Sequence, residues 1–415
     1  MQATTEQGRS RIWRRAGGNT PASANACPQP RLGRRARAWC SLTAAAALLA
    51  LLATPLTCEP SGQALPRRNP AAASGHVRSV AVFGSDERVA LPNRYRSLEE
   101  KIGLLFNQRS RLVCTAFCVA PNVVATAGHC LFRTQGEHPP QLADFWFARN
   151  FDRQRQFERI AGAGSGGAAQ HVMAGTTALR VRPPIDASKD WALVRLSHPA
   201  CSHGVLAVAT LSGEAIIAEA KAKRIFQVSY HRDFAPWKLA YSQPCGVERD
   251  FEAADWTTIR QDFADAAQLV LHTCDTGGAS SGSPLLLETA EGFVVVAINV
   301  GTYVQSKVLM ENGQVSKRLK ADIVANTAVN SSAFADKLAS FRQAAILASA
   351  QQIRALQAAL HQQRLYDGSF DGRYGASLRA AIEAYEQAQG LPATGLATEA
   401  LLKRLQAPER LPRSR

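Results

Sequence analysis

The sequence predicts an all-β body, a sandwich or barrel of short strands, followed by a small all-α domain. Between about Val77 and Gly301, short apolar runs at residues 80–83, 111–117, 122–125, 178–181, 192–196, 225–230, 268–272 and 293–300 alternate with Gly, Pro, Asn and Asp turns, and no long helical period separates them. From Ser331 to Leu405 the apolar positions instead recur at helical spacing, with Ile353, Leu356 and Leu360, then Leu378, Ile382 and Tyr385, each marking one face. This change of period puts a domain boundary near residue 345. The small-residue stretch 161–169 reads as a loop inside the β region, with no repeat and no phosphate-loop pattern.

A chain of 415 residues is long enough for two domains and a targeting segment, and 46% hydrophobic against 20% charged residues excludes wholesale disorder. The formal net charge is +15, but eight arginines and one acid, Glu6, fall in the first 39 residues, so about half of that charge is local to the N-terminus. The remainder is spread out and forms no basic stripe interleaved with aromatics, which argues against nucleic acid as a partner. Directly after the arginines comes an uncharged apolar run, residues 39–56, with small residues at Gly62-Gln63-Ala64. A basic flank followed by such a run is expected to act as a signal peptide, or as a membrane anchor if it stays uncleaved. Arg34-Arg35 lacks the apolar pair of a twin-arginine signal, and Pro55-Leu56-Thr57-Cys58 is a poor lipoprotein box.

Export would give the cysteines an oxidising compartment. Six follow Ala64: Cys114, Cys118, Cys130, Cys201, Cys245 and Cys274. No C-x2-C pair and no histidine pair at helical spacing accompanies them, so neither a metal nor another cofactor is expected, and three disulfides are the economical reading.

Three short motifs carry chemistry. In Thr126-Ala127-Gly128-His129-Cys130 a histidine sits between a strand end and a half-cystine, a rigid seat for a general base that must keep one orientation through two proton transfers. In Ser280-Ser281-Gly282-Ser283-Pro284 a glycine-containing turn can expose a serine hydroxyl, a weak nucleophile that needs a neighbouring base and backbone N–H groups aimed at a developing oxyanion. Ser280 and Ser283 compete with Ser281 but are not followed by glycine. Asp190 opens the apolar strand 191–196 and suits an acceptor for an imidazole N–H, with Asp186 as the competing acid.

In these motifs the chain resembles the chymotrypsin/trypsin clan of serine proteases, whose order is also His, Asp, Ser. The resemblance implies a double Greek-key β-barrel, a catalytic triad of His129, Asp190 and Ser281, and an oxyanion hole from the N–H groups of Ala279 and Ser281. It also implies a Cys114–Cys130 bridge, and it suits a Cys245–Cys274 bridge, leaving Cys118 and Cys201 as a third bridge or two buried thiols. The opening 82–88, VFGSDER, and the ending Ser-Gly-Ser-Pro look most like the bacterial glutamyl-endopeptidase-like branch. Three positions depart from the family. Ser280 stands where trypsins carry the aspartate that pairs with a freshly cleaved N-terminus. Ala279 replaces a glycine, so its Cβ strains the turn. Asn299 stands where glutamate-specific members place a histidine. Asp275, six residues before Ser281, is the candidate floor of a substrate pocket that would attract Arg or Lys, and Asn299 is the second candidate pocket residue.

Residues 353–405, with Asp367-Gly368, Asp371-Gly372 and Gly390-Leu391-Pro392 between helices, are similar to the three-helix peptidoglycan-binding domain of bacterial cell-wall enzymes. The expected layout is a leader over 1–64, a protease domain over 65–344, a peptidoglycan-binding-like domain over 345–408 and a tail over 409–415. Such a chain is expected to be a periplasmic or secreted endopeptidase of the cell envelope that cleaves a protein or peptide and is held at peptidoglycan. It would meet the membrane only through an uncleaved N-terminus. The alternatives are a murein-bound pseudoprotease, suggested by Ala279, and a zinc-dependent murein hydrolase, which the missing ligand cluster disfavours.

Overall fold

The computed structural model describes residues 81–132, 140–151, 156–235, 237–311 and 314–407. The expected leader over 1–64 and the tail over 409–415 lie outside the described residues. No helix among the described residues is long and apolar enough to cross a membrane.

Two antiparallel sheets form the body. The first runs, neighbour to neighbour, Gln156–Arg159, Phe145–Arg149, Ile102–Asn107, Leu112–Ala120, Val123–Thr126, Ala192–Arg195 and Val172–Ala174. The second runs Val89–Ala90, Leu239–Ser242, Ile225–Tyr230, Pro284–Thr289, Gly292–Glu311, Gln314–Asn330 and Leu269–His272, and Ala207–Val208 pairs parallel to Gly292–Glu311. Aliphatic and aromatic residues from both sheets share one core that includes Leu104, Phe117, Val124, Leu193, Phe226, Leu286 and Ile298. This is the all-β body that the short apolar runs predict.

Register decides where the site lies. Thr126 pairs with Ala192 and Val123 with Arg195, so the chain leaving the first strand and the chain entering the second emerge at the same end of the sheet. His129 follows Thr126 by three residues and Asp190 precedes Ala192 by two, which brings a histidine and an aspartate together from positions far apart in sequence.

Three readings of local structure change, the first being the run at 80–83, whose described residues form no strand and make only a lone bridge between Ala81 and Thr276. Residues 178–181 form no strand: Val181 is exposed, and the Arg180 N–H donates to Asp186 Oδ1 at 2.7 Å, closing a loop around Pro183-Pro184. The run at 293–300 is only the base of a long hairpin, Gly292–Glu311 with Gln314–Asn330. Gly301 reads as a terminator in the sequence, but the register shifts between Asn299 and Gly301, so the glycine marks an irregularity inside the ladder and not its end. Helices Gly213–Lys221 and Trp256–Asp262, each begun by a side-chain cap from Ser212 or Asp255, complete the body.

Beyond Asn330 the chain is helical. Phe334, Leu338 and Phe341, on and just before helix Ala335–Gln343, still belong to the β core, and Arg195 Nη1 donates to Ala344 O at 3.0 Å. A separate core begins at Leu347 and joins Ile353, Leu356 and Leu360 of helix Ala350–Gln362 to Leu378, Ile382 and Tyr385 of Ala376–Ala388 and Leu401 of Glu399–Gln406. Ser349 and Gln352 form a reciprocal capping box at the start of the first of these helices.

Candidate active site

His129 opens a single helical turn, His129–Phe132, directly after the strand end. Asp190 grips it twice: Oδ2 lies 2.7 Å from His129 Nδ1, and Oδ1 accepts the His129 backbone N–H at 2.7 Å. The carboxylate is almost wholly buried, at 1% exposure, while the histidine side chain keeps 23%. An acid that accepts at Nδ1 fixes the tautomer with its proton there and leaves Nε2 to accept from a nucleophile. Asp186 does not share this place, because it pairs with Arg180 at 3.3 Å.

The disulfide Cys114–Cys130 ties the histidine turn to the strand Leu112–Ala120. Cys130 Sγ lies 3.9 Å from His129 Nε2 and 3.8 Å from the Ser281 carbonyl oxygen, so Ser281 is seated against the same bridge. Thr115 completes the seat. Its N–H donates to Ser281 O at 2.9 Å, and its hydroxyl donates to Ala279 O at 2.8 Å. Gly282 has φ +84°, and a Cβ there would lie 2.3 Å from Thr115 O and 2.1 Å from Thr126 Oγ1. Only glycine fits between the serine turn and the first sheet.

Ser281 is partly exposed, whereas Ser280 and Ser283 are buried at 2% and 0%. Ser283 Oγ accepts from Gln227 Nε2 at 2.7 Å, which occupies it inside the fold. The N–H groups of the turn divide in the same way. Ser280 donates to Gly277 O, Gly282 to Asn299 O and Ser283 to Ser280 O, while among the described residues no acceptor bonds the N–H of Ala279 or Ser281. Ala279 itself has φ +86°, the third-position conformation of a type II turn closed by the Ser280-to-Gly277 bond.

The sequence of this region matches a known family model: residues 114–298 fit the trypsin-like peptidase domain. The chain carries a trypsin-like peptidase domain. Residues 349–405 match the putative peptidoglycan binding domain, so the peptidase is joined to a peptidoglycan-binding module. No curated protein matches the chain. Among solved structures, a Glu endopeptidase in complex with MPD aligns with a TM-score of 0.40 and 15% identity, over 63% of this chain and 99% of that one.

Both candidate pocket residues of the peptidase domain are buried and hydrogen-bonded within the fold. Asp275 is 4% exposed, and its two oxygens accept the N–H groups of Phe83 and Glu87, each at 2.9 Å. This carboxylate anchors the segment before the first strand, with both of its oxygens engaged by backbone N–H groups. Asn299 stands behind the serine turn: Nδ2 donates to Ser280 O at 3.1 Å, and Oδ1 lies 3.1 Å from His272 Nε2. Burial pushes the His272 pKa down to about 4, so the ring is neutral, accepting the Cys274 N–H at Nδ1 and donating from Nε2 to Asn299.

The six cysteines among the described residues form three bridges, Cys114–Cys130, Cys118–Cys201 and Cys245–Cys274, which resolves the pairing left open for Cys118 and Cys201. Two groups, Cys114 with His129 and Cys130, and Cys245 with His272 and Cys274, gather donors of metal-site type. Their sulfurs are bonded to each other and offer no thiolate. Sequence reasoning missed Thr115, His272 and a charged cluster of Asp86, Arg88, His231 and Asp233. Asp86 and Arg88 lie in the 82–88 motif and pair locally, but Asp233 and His231 reach Arg88, and Thr115 and His272 reach their partners, only through packing of distant segments.

Proposed function

We propose that the protein is an exported serine endopeptidase that acts at the cell wall, with the triad His129, Asp190 and Ser281. The double grip of Asp190 on His129, beside a partly exposed serine in a glycine-bound turn, is the observation that carries this reading. Ser281 Oγ attacks the scissile carbonyl, His129 Nε2 takes its proton and returns it to the leaving amine, and Asp190 holds the ring and stabilises the imidazolium. The N–H groups of Ala279 and Ser281 donate to the oxyanion of the tetrahedral intermediate. Three disulfides and a peptidoglycan-binding module support an extracytoplasmic setting. The segment over 1–64 is the proposed leader, the module over 345–408 the tether.

A fluorophosphonate probe is expected to label the folded protein once, and Ser281→Ala to abolish both labelling and peptide hydrolysis. Labelling that persists in Ser281→Ala, or a folded wild type that neither labels nor cleaves, would overturn the assignment. Determining the N-terminal residue of protein purified from the cell envelope tests the leader separately.

A further inference from the structure

The serine turn needs an outside support. Ala279 holds φ +86°, where a Cβ is unfavourable, and Ser280 brings no charge with which to tie the turn from within. The peptide joining Gly278 to Ala279 must nevertheless keep one orientation, because it carries one of the two N–H groups without an acceptor. In a trans peptide the C=O and N–H point in opposite directions. The Gly278 carbonyl accepts the Arg232 N–H at 2.7 Å, which directs the Ala279 N–H to the other side.

Arg232 is followed by Asp233, and Asp233 is held by Arg88. The Arg88 side chain is 3% exposed; Nη2 bonds Asp233 Oδ2 at 2.9 Å and Asp86 Oδ2 at 2.7 Å, Nε bonds Asp86 Oδ1 at 2.9 Å, and Nη1 lies 3.2 Å from His231 Nδ1. His231 accepts there, since burial and the guanidinium push its pKa down to about 3, and its Nε2 donates to Ser229 Oγ at 2.9 Å. The pair also presses on the turn itself. A Cβ on Gly277 would lie 2.1 Å from Asp233 Oδ1 and 2.6 Å from Arg88 Nη1. Arg88 is in turn fixed by the segment before it, where Asp275 takes the Phe83 and Glu87 N–H groups and Thr276 N–H donates to Ala81 O at 2.9 Å.

We infer that Arg88 is a positioning residue for the oxyanion site: through Asp233 and the Arg232 N–H it keeps the Gly278–Ala279 peptide turned so that the Ala279 N–H faces the reacting carbonyl. The inference rests on the triad reading above and adds to it a support supplied from residues 81–88, without a charge at position 280.

Full-length wild type, Arg88→Ala, Arg88→Lys and Asp233→Asn are compared for kcat and KM on a peptide substrate, with active sites titrated and folding checked by circular dichroism. Affinity for a peptide aldehyde, whose adduct places an oxyanion in the site, is measured alongside, and the Arg88→Ala structure is determined. Arg88→Ala is expected to lower kcat about 10- to 100-fold with KM within about 3-fold, to weaken the aldehyde by a similar factor, and to show the Gly278 carbonyl off Arg232. Arg88→Lys is expected to recover part of the loss. Unchanged kcat in a folded Arg88→Ala, or equal loss of titratable sites and rate, would overturn it. Should Arg88→Ala not fold, Asp233→Asn decides by the same kinetic criteria. An inactive wild type refutes the triad reading, and the orientation of the Gly278–Ala279 peptide in the variant structure still decides this inference by itself.

Discussion

Ala279 holds a backbone conformation that costs a non-glycine residue on the order of 1 kcal/mol, yet its turn already leaves the N–H groups of residues 279 and 281 without acceptors. Ala279→Gly is therefore expected to change kcat/KM by less than about 3-fold. A gain of a hundredfold in steady-state assays would instead mean that the native turn is impaired and that the protein binds without cutting. Asp190 is the more sensitive position. Asp190→Asn keeps the shape but cannot accept two N–H groups as an anion does, and a fall in kcat of about 10³- to 10⁴-fold is expected, with KM little changed. His272 sets a pH limit on stability. Unfolded histidine takes a proton near pH 6.5, whereas buried His272 resists until about pH 4, so between these values the unfolded state binds more protons and stability falls as pH drops. Denaturant melts at pH 7 and pH 4.5 are expected to differ, and His272→Gln is expected to reduce that dependence, with buried His171 and His231 supplying the rest in the same direction.

At the scale of elements, the serine turn and the first sheet meet through Gly282. Gly282→Ala combines a φ of +84° with a Cβ 2.3 Å from Thr115 O, backbone that cannot rotate away. A loss of about 2–4 kcal/mol in chemical denaturation is expected, together with loss of probe labelling. A variant that retained wild-type stability would mean that the turn does not pack as described. The strand pair Val123–Thr126 and Ala192–Arg195 carries the other half of the site. Its register, not the sequence distance, sets the meeting of His129 with Asp190.

At the scale of the whole molecule, the β body and the last helices have separate apolar cores. Binding and chemistry are expected to separate accordingly. Full-length Ser281→Ala should cosediment with purified peptidoglycan as well as wild type does, while cleaving nothing. Loss of sedimentation in a folded Ser281→Ala would show that peptidoglycan is held at the serine site and not by the helical module.

The amino-acid sequence determined the class of the β body, the helical C-terminus and the motif seats of His129, Asp190 and Ser281. These depend on local features, namely apolar runs of strand length, helical periodicity, and a glycine beside a serine. The partners of Asp275 and Asn299 were not legible there, because a buried polar side chain is defined by its partners, and theirs, the N–H groups of Phe83 and Glu87, Ser280 O and His272, come from distant segments. The same holds for the Cys118–Cys201 bridge and for the hairpin past Gly301, whose glycine marks a ladder irregularity that local sequence reads as an end. Only tertiary structure decided which carboxylate serves the histidine and which anchors the fold, because hydrogen-bond partners in a β protein are set by long-range register and not by neighbours in sequence.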